Sequence, residues 1–317
     1  MAWTGILMLL MMIGWFAIRV RRSEERRPWP LYGFIGLVII LASEALLWMK
    51  VYFVIHYFTP LVWSGYILVA DAAVYRLTSR SRLHDSLGNF LKLALWSIPL
   101  WLVFEAYNLH LRNWAYLNLP QDAFLRYVGY AWAFATIWPA LFETTDLLSA
   151  LKIFESSQEG HTALPSKRLL VSSLLIGLVM LVFPLMVSQP RASYLFGSVW
   201  LGMIFALDPI NYWLGKRSLW REWLSGHRQE IYCMLLAGLF CGFLWEFWNF
   251  WAVARWKYVF PIMQSFKIFE MPVAGFLGFP PFCVECFVMF EFVNFRFGKS
   301  QVKEASLMQS SLVDSEM

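Results

Sequence analysis

Long apolar runs alternate with short polar stretches along the whole chain. Read at the roughly 20 apolar residues that a bilayer-spanning helix needs, they predict about nine spans: 2–20, 31–49, 54–75, 91–108, 126–150, 169–187, 194–214, 231–252 and 272–294. The connections are too short for a soluble domain. The expected fold class is therefore all-α, a polytopic membrane protein. Composition agrees, because 59% of the 317 residues are hydrophobic and mean hydropathy is +0.54, well above a soluble domain. The first run lacks a basic leader, and Ile18-Arg19-Val20-Arg21-Arg22 is no small-residue cleavage site, so it reads as a helix and not as a signal peptide.

Lys and Arg bias orients such a chain. With the N-terminus outside, all of the 26 Lys and Arg residues fall inside except Lys50, Arg112, Arg126, Arg191, Arg255, Lys257 and Lys267. This favours N-out/C-in, with the plasma membrane as the expected location. It also accounts for the net charge of +5 without a nucleic-acid partner.

The polar positions inside the runs repeat. Val62-Trp63-Ser64-Gly65, running on to Asp71 and Tyr75, recurs as Val199-Trp200-Leu201-Gly202, running on to Asp208 and Tyr212. Glu105-Ala-Tyr-Asn108 with Trp114-Ala-Tyr116 recurs as Glu246-Phe-Trp-Asn249 with Trp256-Lys-Tyr258, and Pro139 to Glu143 recurs as Pro281 to Glu285. A self-similar period of this kind marks a tandem repeat. The expected organisation is a lone helix with a basic loop (1–28), a four-helix unit (29–153), a cytoplasmic link (154–167), a second four-helix unit (168–296) and a disordered tail (297–317). An even number of helices per unit makes the repeats parallel, related by an axis along the membrane normal.

Each unit thus carries three acids where a carboxylate is expensive, at roughly 2.5–3.5 kcal/mol for an Asp at mid-bilayer. The repeated pairs Asp71/Asp208, Glu105/Glu246 and Glu143/Glu285 are the candidate catalytic groups. Glu44, Asp146 and Glu291 have no repeat partner and read as packing. At helical spacing Asn108 and Asn249 share a face with Glu105 and Glu246, and Tyr75 and Tyr212 with Asp71 and Asp208. These four are expected to orient the acids and contact substrate. Eighteen Trp and 28 Phe surround the acids, most densely at Trp245-Glu-Phe-Trp248. Some form an interfacial belt; Trp245 and Trp248 are expected to line a path for a cationic intermediate, since ring faces attract cations. Cys283-Val-Glu-Cys286 reads as packing. No metal-ligand spacing, nucleotide loop or Asp-rich diphosphate motif is present, so no metal or cofactor is expected.

The order of Trp248-Asn249, Arg255-Trp256-Lys-Tyr258, Gly278-Phe-Pro-Pro281 and Glu285-Cys-Phe resembles the membrane lycopene cyclase domain of carotenoid cyclases, and Trp245-Glu246 resembles the Trp-Glu pair of integral-membrane terpene cyclases. Here three residues separate Pro from a single Glu, where the domain carries a double one. The resemblance implies a metal-independent enzyme that cyclises isoprenoids after protonating them. A cyclase, isomerase or hydratase acting on a lipophilic, isoprenoid-like substrate among membrane lipids is the leading expectation, with Glu246 and Glu105 as general acids and Glu285 and Glu143 as a second acid or base. The second copy, richer in Trp and Pro, is expected to be the active one. A proton- or cation-coupled transporter and a non-catalytic scaffold are the alternatives.

Overall fold

In the computed structural model, residues 2–22, 27–154 and 164–294 are described. Most of the predicted link and the whole predicted tail lie outside them. Of the described residues 76% are helical. Its elements are α1 (Ala2–Arg22), α2 (Leu31–Trp48), α3 (Tyr52–Thr78), α4 (Arg82–Asp85), α5 (Leu87–Leu111), β1 (Trp114–Leu117), α6 (Ala123–Ala135) and α7 (Ile137–Ala150). There follow α8 (Lys167–Met186), α9 (Phe196–Trp213), α10 (Leu219–Leu224), α11 (Gln229–Trp251), β2 (Arg255–Tyr258), β3 (Lys267–Ile268), β4 (Met271–Pro272), a 3-10 turn (Val273–Gly278) and α12 (Phe279–Val293).

Among the described residues seven helical stretches are long and apolar enough to cross a membrane: 2–21, 31–48, 52–78, 87–111, 167–186, 229–251 and 273–293. Helices of this kind are consistent with an integral membrane protein. Two expected spans differ. The run at 126–150 is broken at Thr136 into α6 and α7. Pro139 has no N–H for the carbonyl four residues earlier, so the helix ahead of it ends at Ala135. The run at 194–214 begins with a 3-10 turn, and its helix α9 carries Asp208, Pro209 and Asn211, which lower its hydropathy.

Side-chain oxygens close several helix starts. Ser86 accepts from Asn89 N, Asp122 from Leu125 N and Ser166 from Leu169 N, satisfying donors that an N-terminus leaves unpaired. α2 packs along α3, and α8 along α9. The first pair closes through small residues: a methyl on Gly36 would lie 2.6 Å from the Gly65 carbonyl oxygen, the close approach that small residues permit between membrane helices. The centre is built from α3, α7, α11 and α12. There 72% of the α11 span is buried, against 17% for α1 and α2, so α1 and α2 are peripheral.

β1 and β2 form a two-stranded antiparallel ribbon joining the two halves, with Trp114 opposite Tyr258, Ala115 opposite Lys257 and Tyr116 opposite Trp256. The two Trp-x-Tyr motifs that the sequence repeats are therefore hydrogen-bonded to each other.

Candidate functional site

Each half builds its part of the site in the same order, from an Asn to a strand to a Tyr to a Glu. At the end of α5, Asn108 Nδ2 donates to Trp114 O (2.9 Å) and its Oδ1 accepts from Asn113 N (2.8 Å) and Trp114 N (3.1 Å). At the end of α11, Asn249 Nδ2 donates to Trp256 O (2.9 Å) and Oδ1 accepts from Trp256 N (3.0 Å). The sequence reading had these Asn residues orienting the acids; they instead clamp each strand to its helix. An Asn three residues past the acid, in the last turn, faces the departing chain.

The clamped strands turn a tyrosine back on each acid. Tyr116 donates to Glu105 Oε1 at 2.5 Å, and Tyr258 to Glu246 Oε1 at 2.8 Å. Glu105 Oε1 also accepts from Trp101 Nε1 (2.9 Å) and Trp114 Nε1 (3.3 Å). In the second half the indole goes elsewhere: Trp256 Nε1 donates to Tyr258 Oη at 2.8 Å. Glu246 is fully buried and its Oε2 has no hydrogen-bond partner. Burial, reinforced by the adjacent glutamates, pushes both Tyr116 and Tyr258 phenols well above their ordinary range, so both keep their protons at any working pH.

In front of these pairs lies a cavity whose free volume of about 140 Å³ would hold on the order of ten waters or an apolar group of similar bulk. Tyr116, Tyr258, Trp63, Trp101, Trp114, Trp200, Trp245, Trp256, Tyr130, Phe134, Phe279 and Phe282 all line it. Glu105 and Glu246 are not on the lining but stand behind the tyrosines. Rings meet at close range across the wall, with Trp63 and Trp245 at 5.0 Å and Trp200 and Phe282 at 5.3 Å.

The remaining predicted residues lie elsewhere. Asp71 accepts from Tyr32 Oη (2.7 Å), Ser81 Oγ (2.7 Å) and Leu83 N (2.9 Å). Asp208 accepts from Ser218 Oγ (2.9 Å), Leu219 N (2.7 Å) and Trp220 N (3.0 Å). Each thus ties down the short helix that follows it, with three donors on its two oxygens. The expected partners Tyr75 and Tyr212 do not bond to them: Tyr75 packs on the His84 ring at 4.3 Å, and Arg221 sits over Tyr212 at 4.9 Å.

Glu143 and Glu285 are fully buried, their oxygens without a well-formed hydrogen bond though the Met203 amide approaches Glu285, and neither lines the cavity. Glu143 lies beside Asp71 without a well-formed hydrogen bond to it. Trp248 packs edge-on against Trp63 at 5.1 Å and donates to Glu44 Oε1 at 3.3 Å, so of the two predicted Trp residues Trp245 alone faces the cavity. Asp146 has a cationic partner that its sequence neighbourhood did not suggest, Arg82, at 2.6 Å. Among the described residues no group of three or more His, Cys, Asp and Glu is placed to hold a metal ion.

Sequence reasoning did not single out the tyrosines of Trp-x-Tyr or the pair Trp63/Trp200. Their signal was present, since all four belong to the repeated motifs. No family model matches the chain, and neither a curated protein nor a solved structure is measurably similar to it. The likeness to the lycopene cyclase domain therefore rests on the residues quoted for it.

Proposed function

We propose that this protein is an integral-membrane enzyme that protonates a lipophilic, isoprenoid-like substrate and lets the resulting cation cyclise, shift or take up water inside the aromatic cavity. One observation carries the reading: a tyrosine on the cavity wall is hydrogen-bonded to a glutamate behind it in each half, at 2.5 and 2.8 Å. With Glu246 Oε2 buried and unpartnered, Oε1 is the oxygen through which a protonated Glu246 meets Tyr258, at 2.8 Å. At turnover this hydrogen bond reverses: Glu246 passes its Oε1 proton to Tyr258 Oη as Tyr258 passes its own to a substrate double bond. This leaves a carboxylate, a neutral phenol and a carbocation. The pair can take a proton back from a neighbouring carbon, so cyclisation or isomerisation consumes none.

Glu105, held by three donors, supplies negative charge across the cavity, and the ring faces of Trp63, Trp101, Trp200 and Trp245 stabilise the migrating cation. A general acid of this kind contributes about 10²–10⁴-fold.

The same reading takes the protein as two parallel four-helix units following a lone helix, crossing the plasma membrane about nine times with the N-terminus outside. The ribbon supports it. Pairing Trp114 with Tyr258 and Tyr116 with Trp256 is what a two-fold axis between Ala115 and Lys257 demands. The matched roles of Asp71 and Asp208 and of Asn108 and Asn249 support it too.

The test is lipid mass spectrometry on membranes of an isoprenoid-producing host expressing the chain or its Glu246→Gln variant. A product of unchanged mass but new retention, or heavier by one water, is expected only with Glu246 intact. An active Glu246→Gln would overturn the assignment. The buried Glu143 and Glu285 favour one second reading, a proton- or cation-coupled transporter. It would be supported by pH-driven flux in proteoliposomes and the absence of any lipid change.

A further inference from the structure

The cavity that accounts for the chemistry has a charge asymmetry that the chemistry does not need. No carboxylate lies on its lining, whereas two arginines do, Arg126 and Arg255. Arg255 is committed, with Nη1 3.2 Å from Glu270 Oε1 and 3.1 Å from the Phe250 carbonyl oxygen. Arg126 is different. Its Nη1 donates to the carbonyl oxygens of Pro120 (3.2 Å) and Gln121 (3.4 Å), and it forms no ion pair among the described residues. The nearby Asp122 side chain is occupied in capping α6 through Leu125 N at 2.9 Å. Arg126 is half-exposed, so it stands where the aromatic chamber meets the surface.

A guanidinium is a planar fork of donors matched to phosphate or carboxylate oxygens. Behind Arg126 the wall is aromatic, and ring faces carry partial negative charge. They welcome a cation or a hydrocarbon and repel an anion. A ligand bearing both an apolar chain and an anionic group would therefore bind one way round.

We propose that the cavity binds a single-chain anionic amphiphile, with its phosphate or carboxylate head on Arg126 at the mouth and its isoprenoid-like tail among the rings before Tyr116 and Tyr258. This inference rests on the cavity reading above and names its substrate class. The head is read by the arginine directly.

The experiment uses the purified full chain in detergent micelles, with binding read from intrinsic tryptophan fluorescence. Farnesyl monophosphate, farnesol and inorganic phosphate are the probes. Farnesyl monophosphate is expected to bind at least about tenfold more tightly than farnesol, in keeping with one charge-assisted contact, and inorganic phosphate not at all in the same range. Arg126→Gln should bring the two farnesyl ligands to parity with farnesol binding unchanged, and Arg126→Lys should keep part of the preference. Arg126→Gln could disturb the turn at 120–121, so a second readout uses the unaltered protein. Its preference should shrink as salt rises from about 50 to about 500 mM, because the mouth is open to screening.

Equal binding of the two farnesyl ligands, a preference that survives Arg126→Gln, a salt-independent preference, or no binding of either would each overturn the inference. Phosphate bound alone as tightly as farnesyl monophosphate would also overturn it, by assigning the contact to a free anion. The two claims fail separately. A head-group preference in a protein that changes no lipid would sink the enzymatic reading and leave this one. A Glu246-dependent product without the preference would do the reverse.

Discussion

The two halves carry the same Asn-strand-Tyr-Glu assembly, yet the segments that follow their strands stand differently to the cavity in front of it. In the first half the segment between strand and proline forms α6, and Arg126, Gly129, Tyr130, Ala133 and Phe134 of that helix line the cavity. In the second half the corresponding segment forms β3, β4 and the 3-10 turn, and none of it lines the cavity. Its rings fill the space instead: Phe276 packs on Phe243 at 4.7 Å and Phe269 on Phe250 at 5.7 Å. Phe269 also lies where a methyl on Gly5 of α1 would come within 2.4 Å of it. The short segment after the strand thus lines the cavity in one half and packs against its own helices in the other. The ribbon places Tyr258, which is hydrogen-bonded to Glu246, on the wall of the same cavity that Tyr116 lines.

Removing what the halves share should do the most damage. Asp71→Ala and Asp208→Ala each strand three donors that the carboxylate now satisfies, at about 1–3 kcal/mol per buried donor left unpaired. Both variants should lose folded protein to a similar degree in detergent extracts followed by size-exclusion chromatography. A well-folded, active Asp208→Ala would break the equivalence. The next contrast concerns function. Glu246→Gln should cut product by about 10²-fold or more, while Glu105→Gln, which keeps an oxygen for the three donors, should cut it less. Equal losses in the lipid assay would mean that the halves share the chemistry evenly.

A cavity-filling change tests the asymmetry itself. Gly129 sits where a side chain would come 3.1 Å from the Tyr57 ring, whereas the corresponding position of the second half is Met271, fully packed. Gly129→Met should abolish farnesol binding while costing only about 1–3 kcal/mol of stability. Retained binding would place the ligand elsewhere.

The smallest contrast is at the basic end. Arg217 makes a 2.5 Å pair with Glu230 and Arg80 a 2.8 Å pair with Asp85, with side-chain exposures of 32% and 82%. The hydrogen bond from Arg80 holds the Asp85 carboxyl below its ordinary range. Its stabilising effect is therefore present above the unfolded pKa and lost as pH falls through the lower, folded one. Because the pair is exposed, Arg80→Gln should leave the melting temperature unmoved at any pH in that window, whereas Arg217→Gln should lower it by a few degrees (~1 kcal/mol). A larger shift for Arg80→Gln would mean that the surface turn matters more than its exposure implies.

Much of the fold was legible because its cause is local. An apolar run of a given length forms a helix whichever neighbour it meets, and Pro139 ends the helix before it by its own missing N–H. The repeated motifs identified the residues that do equivalent work, and Asp71 with Asp208 and Asn108 with Asn249 duly occupy matching environments. Their work was less legible. Sharing a helix face suggested that Asn249 serves Glu246 and Tyr212 serves Asp208. Hydrogen bonds to a strand and a ring contact from beyond the helix decided otherwise.

What the sequence determined by itself was thus most of the apolar helices and the positions of the acids along them, consequences of hydropathy and local geometry. Tertiary structure alone decided that the two Trp-x-Tyr strands pair with each other, that tyrosines and not glutamates line the cavity, and that the segment after the strand lines it in the first half and not in the second. Those outcomes depend on which surfaces meet across more than a hundred residues of chain. A cavity is the space left over by that packing, and no single segment encodes it.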